Sequence, residues 1–137
     1  MSRYVDSSVY LRVLMGHTGA MTLPAEGDWY TSVLTRVEGR RMLYRLQGKG
    51  KFDDAELTRL LAALDALLEK IKIVPCDQAI FDRAGDPMNA PLGSLDAIHL
   101  ASALRVQETL QQKVELYTYN IELAIAARAA GLQPVTQ

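Results

Sequence analysis

The chain has 137 residues, 15 lysines and arginines against 16 aspartates and glutamates, and a formal net charge of −1. A chain of this length buries one core, so a single domain over residues 1–137 is expected, and its near-neutral balance excludes a nucleic-acid or membrane-surface binder driven by net charge. Its one cysteine, Cys76, excludes an internal disulfide and a cysteine cluster for zinc, and suits a reducing cytosol.

The opening "MSRYVDSSVYLRVLMG" carries an acid at Asp6 and no uninterrupted apolar stretch, so it does not read as a signal peptide. No run approaches the roughly 20 apolar residues of a membrane span, and a cytoplasmic protein is expected. "RYVD" reads as a short strand leading into a helix from Ser7 to Met15, capped by Ser7 or Ser8. A loop with Gly16, Gly19, Pro24 and Gly27 follows, then a strand "WYTS". Val33 to Gln47 has apolar residues at helical spacing, and "GKGK" ends that helix. "DDAELTRLLAALDALLEKI" is the clearest helix, opened by Asp53 or Asp54 and closed by lysine as the helix dipole favours. "IKIVP" reads as a strand, Cys76 to Ala84 as a helix, and "GDPMNAPLGS" as a loop. "LDAIHLASALRVQ" is a helix with Ser94 as its cap; a strand from Val114 to Tyr119, a helix to Ala130 and a strand "QPV" complete the chain. Strands alternating with helices predict an α/β fold, a central parallel sheet with helices on both faces in three layers. Ligands of such folds gather at the carboxyl ends of the strands, which singles out Asp6 and Asn120.

Most carboxylates lie where a solvated helix face would put them, but three do not. Asp6 ends a strand, Glu38 lies within two turns of the apolar stripe of Leu34 and Val37, and Asp96 is near the start of an almost wholly apolar helix. Carboxylates in apolar surroundings are costly unless paired or bound to a cation. Several together, without a histidine or cysteine cluster, make a hard oxygen site suited to Mg²⁺ or Mn²⁺. Taken singly, each has a plainer reading: a turn or cap residue for Asp6, a dipole-favoured first-turn acid for Asp96, and a surface residue for Glu38.

Taken with their flanks, "YVDSSVYLRVL", "TSVLTRVEGRRML", "GSLDAIHLASAL" and "LYTYNIELAIAARAAGL" resemble, in order and spacing from Tyr4 to Val135, the PIN-domain ribonucleases, most closely the VapC-type toxins of prokaryotic toxin–antitoxin pairs. The resemblance implies an α/β/α fold and a divalent-metal-dependent endoribonuclease, a homodimer neutralised by a small cognate antitoxin. Asp6, Glu38 and Asp96 match the family's first three acids as catalytic and metal-binding residues. Asn120 stands where the family has its fourth acid. There it would keep one neutral oxygen for the metal and lose a charge, weakening a second metal position but not the first. Glu122 could lend a carboxylate, although a first-turn Glu complements the dipole in any case. Ser7 and Thr118 are close enough in sequence to hydrogen-bond the metal ligands.

Local charge fits an RNA substrate. Arg36, Arg40, Arg41, Arg45, Lys49 and Lys51 face Glu38 alone between Leu34 and Lys51. On a helix, Arg41 and Arg45 fall on the side of Glu38, Arg45 roughly 10 Å along the axis. Both are therefore candidates to bind RNA phosphates, against the plainer reading of a solvated basic face. His99 is read as a packed, hydrogen-bonded histidine, and Trp29, Tyr30 and Tyr10 as core aromatics. His17 has no evident partner, and Cys76 lacks the signs of an activated nucleophile. A second class of function is also open: a PIN-like module, catalytically impaired by loss of the fourth acid, that binds RNA or a protein partner. A third, an unrelated doubly wound domain for a small ligand, requires the motif match to be chance.

Overall fold

The computed structural model describes residues 1–17 and 19–136; Thr18, within the expected glycine-containing loop, lies outside them. The elements run β1 (Ser2–Val5), α1 (Ser7–Leu14), β2 (Trp29–Ser32), α2 (Leu34–Gly48), α3 (Asp54–Glu69), β3 (Lys72–Val74), α4 (Gln78–Ala84), α5 (Ser94–Leu110), β4 (Val114–Tyr117), α6 (Ile121–Ala129) and β5 (Gln133–Val135). The five strands form one sheet in the order β3-β2-β1-β4-β5, and every pairing is parallel. The expected α/β layering is what forms.

Strand alternation sorts the core into two faces. Tyr4, Val114 and Leu116 point to one side, where they pack with Leu100, Ala103 and Leu104 of α5 and Leu123, Ala126 and Ala127 of α6. Val5 and Tyr117 point to the other, against Val9 and Tyr10 of α1 and Leu67 of α3. A third cluster, Leu43, Leu57, Leu60 and Leu64, joins α2 to α3 and reaches Leu11 and Leu14 of α1. Thus α2, which carries Glu38, is held from outside the sheet by leucine packing. Among the described residues no helix is long and apolar enough to cross a membrane.

Several helix starts differ from the sequence reading in how they are capped. Asp6, not Ser7 or Ser8, caps α1, its carboxylate accepting the Val9 N–H at 3.4 Å. Gly93 opens α5 without a side-chain cap, so Ser94 is the first helical residue. Asp77 caps α4, which starts at Gln78 instead of Cys76. Asp53 caps α3 and Asn120 caps α6, as expected. The last long strand stops at Tyr117, because the Thr118 side chain turns to Asp6. After α6, Gly131 has φ +93, the left-handed conformation that lets the chain leave a helix sharply, and Leu132 N–H closes back on the Ala127 carbonyl at 2.9 Å.

Close approach of α2 and α3 depends on Gly39. A Cβ there would meet Leu64 Cδ2 at 2.8 Å, and Leu64 is fully buried among its leucine neighbours. We expect Gly39→Val to lower stability by about 1–3 kcal/mol, the usual range for overpacking, measured by chemical denaturation. An unchanged midpoint would show that Leu64 yields freely.

Candidate active site

The strand order reverses around β1, which has β2 on one side and β4 on the other. Chains leave the carboxyl ends of β1 and β4 toward opposite faces, opening the crevice where ligands of such sheets bind. Asp6 is the first residue past β1, and its N–H still bonds the Tyr117 carbonyl at 3.2 Å. Thr118 and Asn120 follow β4, so both strand ends deliver polar groups to one place.

Asp6 is buried, 3% exposed, and several donors hold it. Ser8 Oγ donates to Oδ1 at 2.6 Å and Thr118 Oγ1 donates to Oδ2 at 2.6 Å, while the Val9 N–H completes the cap. Short hydrogen bonds to a buried carboxylate offset part of its lost hydration. Asp96 enters from the first turn of α5 and is half-buried. Burial pushes its carboxyl above the ordinary range; the charges of Asp6 and Glu38 push it further, against the opposing effects of His99 and of the Asn120 hydrogen bond. Asp96 is thus within electrostatic reach of both Asp6 and Glu38.

Glu38 is brought in by α2 and held at both oxygens. Ser7 Oγ donates to Oε2 at 3.1 Å, and His99 Nε2 lies 2.7 Å from Oε1. His99 is itself buried, 1% exposed, with Nδ1 2.7 Å from the Tyr4 hydroxyl. The expected hydrogen bonds from Ser7 and Thr118 are thus present, Ser7 reaching Glu38 and Thr118 reaching Asp6. Ser8 and Tyr4 were not singled out from sequence. Period-2 alternation, which sets Tyr4 on the same face as Asp6, was the available signal for Tyr4.

Asn120 has two partners of opposite kind. Its Oδ1 accepts the N–H groups of Glu122 at 3.0 Å and Leu123 at 3.3 Å, and its Nδ2 donates to Asp96 Oδ2 at 2.6 Å. Only this orientation of the amide satisfies both neighbours, since backbone N–H groups need an acceptor and a carboxylate needs a donor. The oxygen considered for a metal is therefore turned to the helix start, and an N–H faces the acid. Asn120 N–H also donates to Thr118 Oγ1 at 3.0 Å, giving a continuous path Asp6–Thr118–Asn120–Asp96. Glu122 is exposed in the first turn of α6.

A groove of about 250 Å³ runs beside Glu38, lined in part by Ser7, Leu11, Arg41, Arg45 and Leu95. Arg41 and Arg45 thus share it, both exposed. Arg36 turns to Asp65 of α3 at 3.6 Å, and Arg40 donates to the Tyr44 hydroxyl at 3.1 Å. Among the described residues, no set of three or more His, Cys, Asp or Glu side chains surrounds a common point as a ready-made metal cage. The donor set nonetheless fits Mg²⁺, which is ordinarily held by one or two carboxylates, with water and substrate oxygens completing the shell. Asp96 Oδ1 accepts no hydrogen bond from the described residues, leaving lone pairs for such a cation.

Two substitutions separate the charge of this site from its shape. A raised folded-state carboxyl contributes stability below its unfolded value and loses it as pH rises through the folded value. Asp96→Asn should therefore stabilise the metal-free protein at pH 7 and lose that gain under acid conditions, as read by thermal unfolding against pH. Equal or lower stability at pH 7 would show that repulsion at Asp96 is negligible. Asn120→Asp replaces the N–H···O bond with two facing carboxylates. We expect a metal-free loss near neutral pH of about 1.5 kcal/mol, the low end for a hydrogen bond to a charged group, and a larger Mn²⁺-induced rise in Tm than in the parent. A smaller rise would show that position 120 does not communicate with the metal.

The PIN domain family model matches residues 3–128. Ribonuclease VapC35 of Mycobacterium tuberculosis is 33% identical over 107 residues, 78% of this chain and 71% of that protein. Among solved structures, VapBC-1 from nontypeable Haemophilus influenzae superposes with a TM-score of 0.57 at 18% identity, covering 98% of this chain and 97% of that one. FitAcB from Neisseria gonorrhoeae superposes at 0.63 and 16% identity, covering 98% and 96%. At these identities the two structures speak to the fold, while the family match, over residues 3–128, spans the residues of the site. The chain belongs to the PIN-domain family, and within it is similar to the VapC-type ribonucleases.

Proposed function

We propose that the chain is a divalent-metal-dependent endoribonuclease, the toxin of a type II toxin–antitoxin pair. The observation that carries this reading is the convergence of Asp6, Glu38 and Asp96, from the end of β1, α2 and α5, where Asp96 feels the charges of Asp6 and Glu38. Similarity to a VapC ribonuclease and to toxin–antitoxin structures supports it. On this reading the protein is a single-domain cytoplasmic homodimer, neutralised by a small cognate antitoxin.

Asp6 and Asp96 would hold Mg²⁺ or Mn²⁺, with Glu38 beside them. A cation bound there supplies Lewis-acid polarisation of the phosphate and acidifies a bound water. The protein's own contribution is orientation. Ser8 and Thr118 fix Asp6, Asn120 fixes Asp96, and Ser7 and His99 fix Glu38. Arg41 and Arg45, in the groove beside Glu38, would hold flanking phosphates of the RNA as unspecific electrostatic contacts.

Two observations favour a second reading, a PIN-like module that binds RNA or a protein partner without cutting. They are the amide at position 120 and the lack of a preformed three-ligand cage among the described residues. Purified chain freed of any antitoxin, incubated with structured RNAs and Mg²⁺ or Mn²⁺, decides between them. We expect cleavage that EDTA abolishes and that Asp6→Ala or Asp96→Ala reduces at least about 10²-fold, the loss typical of removing one transition-state-stabilising group. Cleavage unaffected by both substitutions would place the active site elsewhere. No cleavage with RNA or partner binding retained would establish the second reading.

A further inference from the structure

We propose that His99 is a positioning residue for Glu38, and that Tyr4 holds the histidine in the tautomer this task requires. The inference rests on the metal-nuclease reading above and extends it to two residues that are neither acids nor substrate contacts.

Two central elements bring their acids in directly. β1 delivers Asp6 with Tyr4 two residues earlier, and α5 delivers Asp96 with His99 three residues later. Glu38 arrives differently, on α2, which packs on leucines of α3 and α1 and meets the sheet at its first turn, where the Thr35 hydroxyl lies 2.7 Å from that of Thr31 in β2. Thr35 anchors the helix start, and the Glu38 carboxylate, one turn on, is itself oriented by two side chains, Ser7 Oγ on Oε2 and His99 Nε2 on Oε1. His99 is the buried one, and it stands on the same helix as Asp96.

Hydrogen-bond roles constrain its state. A carboxylate only accepts, so Nε2 must carry a proton to bond Glu38. In the neutral ring Nδ1 is then an acceptor, and it faces the Tyr4 hydroxyl at 2.7 Å. Tyr4 is fully buried, and its hydroxyl can donate to that nitrogen. The direction Tyr4 O–H to Nδ1, Nε2–H to Oε1 satisfies every member. Partners of this type, which orient a ligand without touching the metal, commonly change metal affinity or activity when removed.

Replacement series distinguish positioning from packing. The amide nitrogen of His99→Gln reaches the Nε2 position and can still donate to Glu38, whereas that of His99→Asn reaches only the Nδ1 side. We expect His99→Gln to stay near the parent in Mn²⁺ affinity, and His99→Asn and His99→Ala to lose about 10–100-fold, measured by titration calorimetry on the full chain. Equal losses in all three, or losses that follow Tm instead of the donor, would overturn the proposal. Should the variants not fold, long-range ¹H–¹⁵N spectra of the metal-free parent test it directly. A neutral ring with its proton on Nε2 and a bare Nδ1 supports the relay, whereas a bare Nε2 or a doubly protonated ring overturns it. A parent that bound no Mn²⁺ would overturn the metal-nuclease reading, and with it the metal role given to Glu38, whereas failure confined to the variants would overturn the relay alone.

Discussion

Three carboxylates gathered at one crevice, with Asp96 within reach of the charges of Asp6 and Glu38, are the constraint around which the rest of the site is arranged. Among the described ion pairs, none brings a lysine or arginine to Asp6 or Asp96, and Glu38 meets only a histidine. The fold instead surrounds the acids with neutral donors: hydroxyls of Ser7, Ser8 and Thr118, the amide of Asn120 and a backbone N–H. Such donors orient a carboxylate and lessen its desolvation, but they do not cancel its charge. The arginines nearest in sequence are spent elsewhere, Arg36 on Asp65 and Arg40 on Tyr44. Negative charge at the crevice is thereby left unneutralised by the protein's own cations.

The sheet makes this affordable by placing the charge where backbone geometry already favours it. Asp6 serves as the cap of α1, and Asn120 as the cap of α6, so each satisfies orphan N–H groups at a helix start. Asp96 sits in the first turn of α5, where a helix dipole favours an anion. Three helix beginnings point at one crevice because β1 and β4 are neighbours whose following helices cross to opposite faces. The chemistry and the capping are one set of contacts, which explains why substitution at these positions should be felt both in stability and in metal binding.

How much of this could be read beforehand varied with the kind of signal. Period-2 and 3.6-residue patterning placed all five strands and six helices, since long-range packing in this fold follows local amphipathicity. Boundaries shifted at helix starts, as at Gly93, which opens α5 without a side-chain cap, and at Asp77, whose carboxylate takes the Ile80 N–H of α4. The acids were legible from their odd apolar surroundings and from the family pattern. Orientation was not: nothing in "YTYNIELA" tells that the oxygen of Asn120 turns to α6 and its nitrogen to Asp96, because that depends on a residue 24 positions away. Likewise His99 read as a packed histidine, and it is packed, yet its link to Glu38 spans 61 positions and joins two helices whose mutual placement no local pattern encodes.

The outer strands bear on how this molecule meets others. β3 and β5 form the two margins of the sheet and are only three residues long. Pro75 follows one and Pro134 lies within the other, opposite Leu116. Proline offers no N–H, and short proline-bearing margins resist the addition of a further strand. Growth of the sheet from one chain into the next is thereby discouraged. Any second protein has to be recognised through side chains on helical surfaces, where shape and charge, and not backbone pairing, choose the partner.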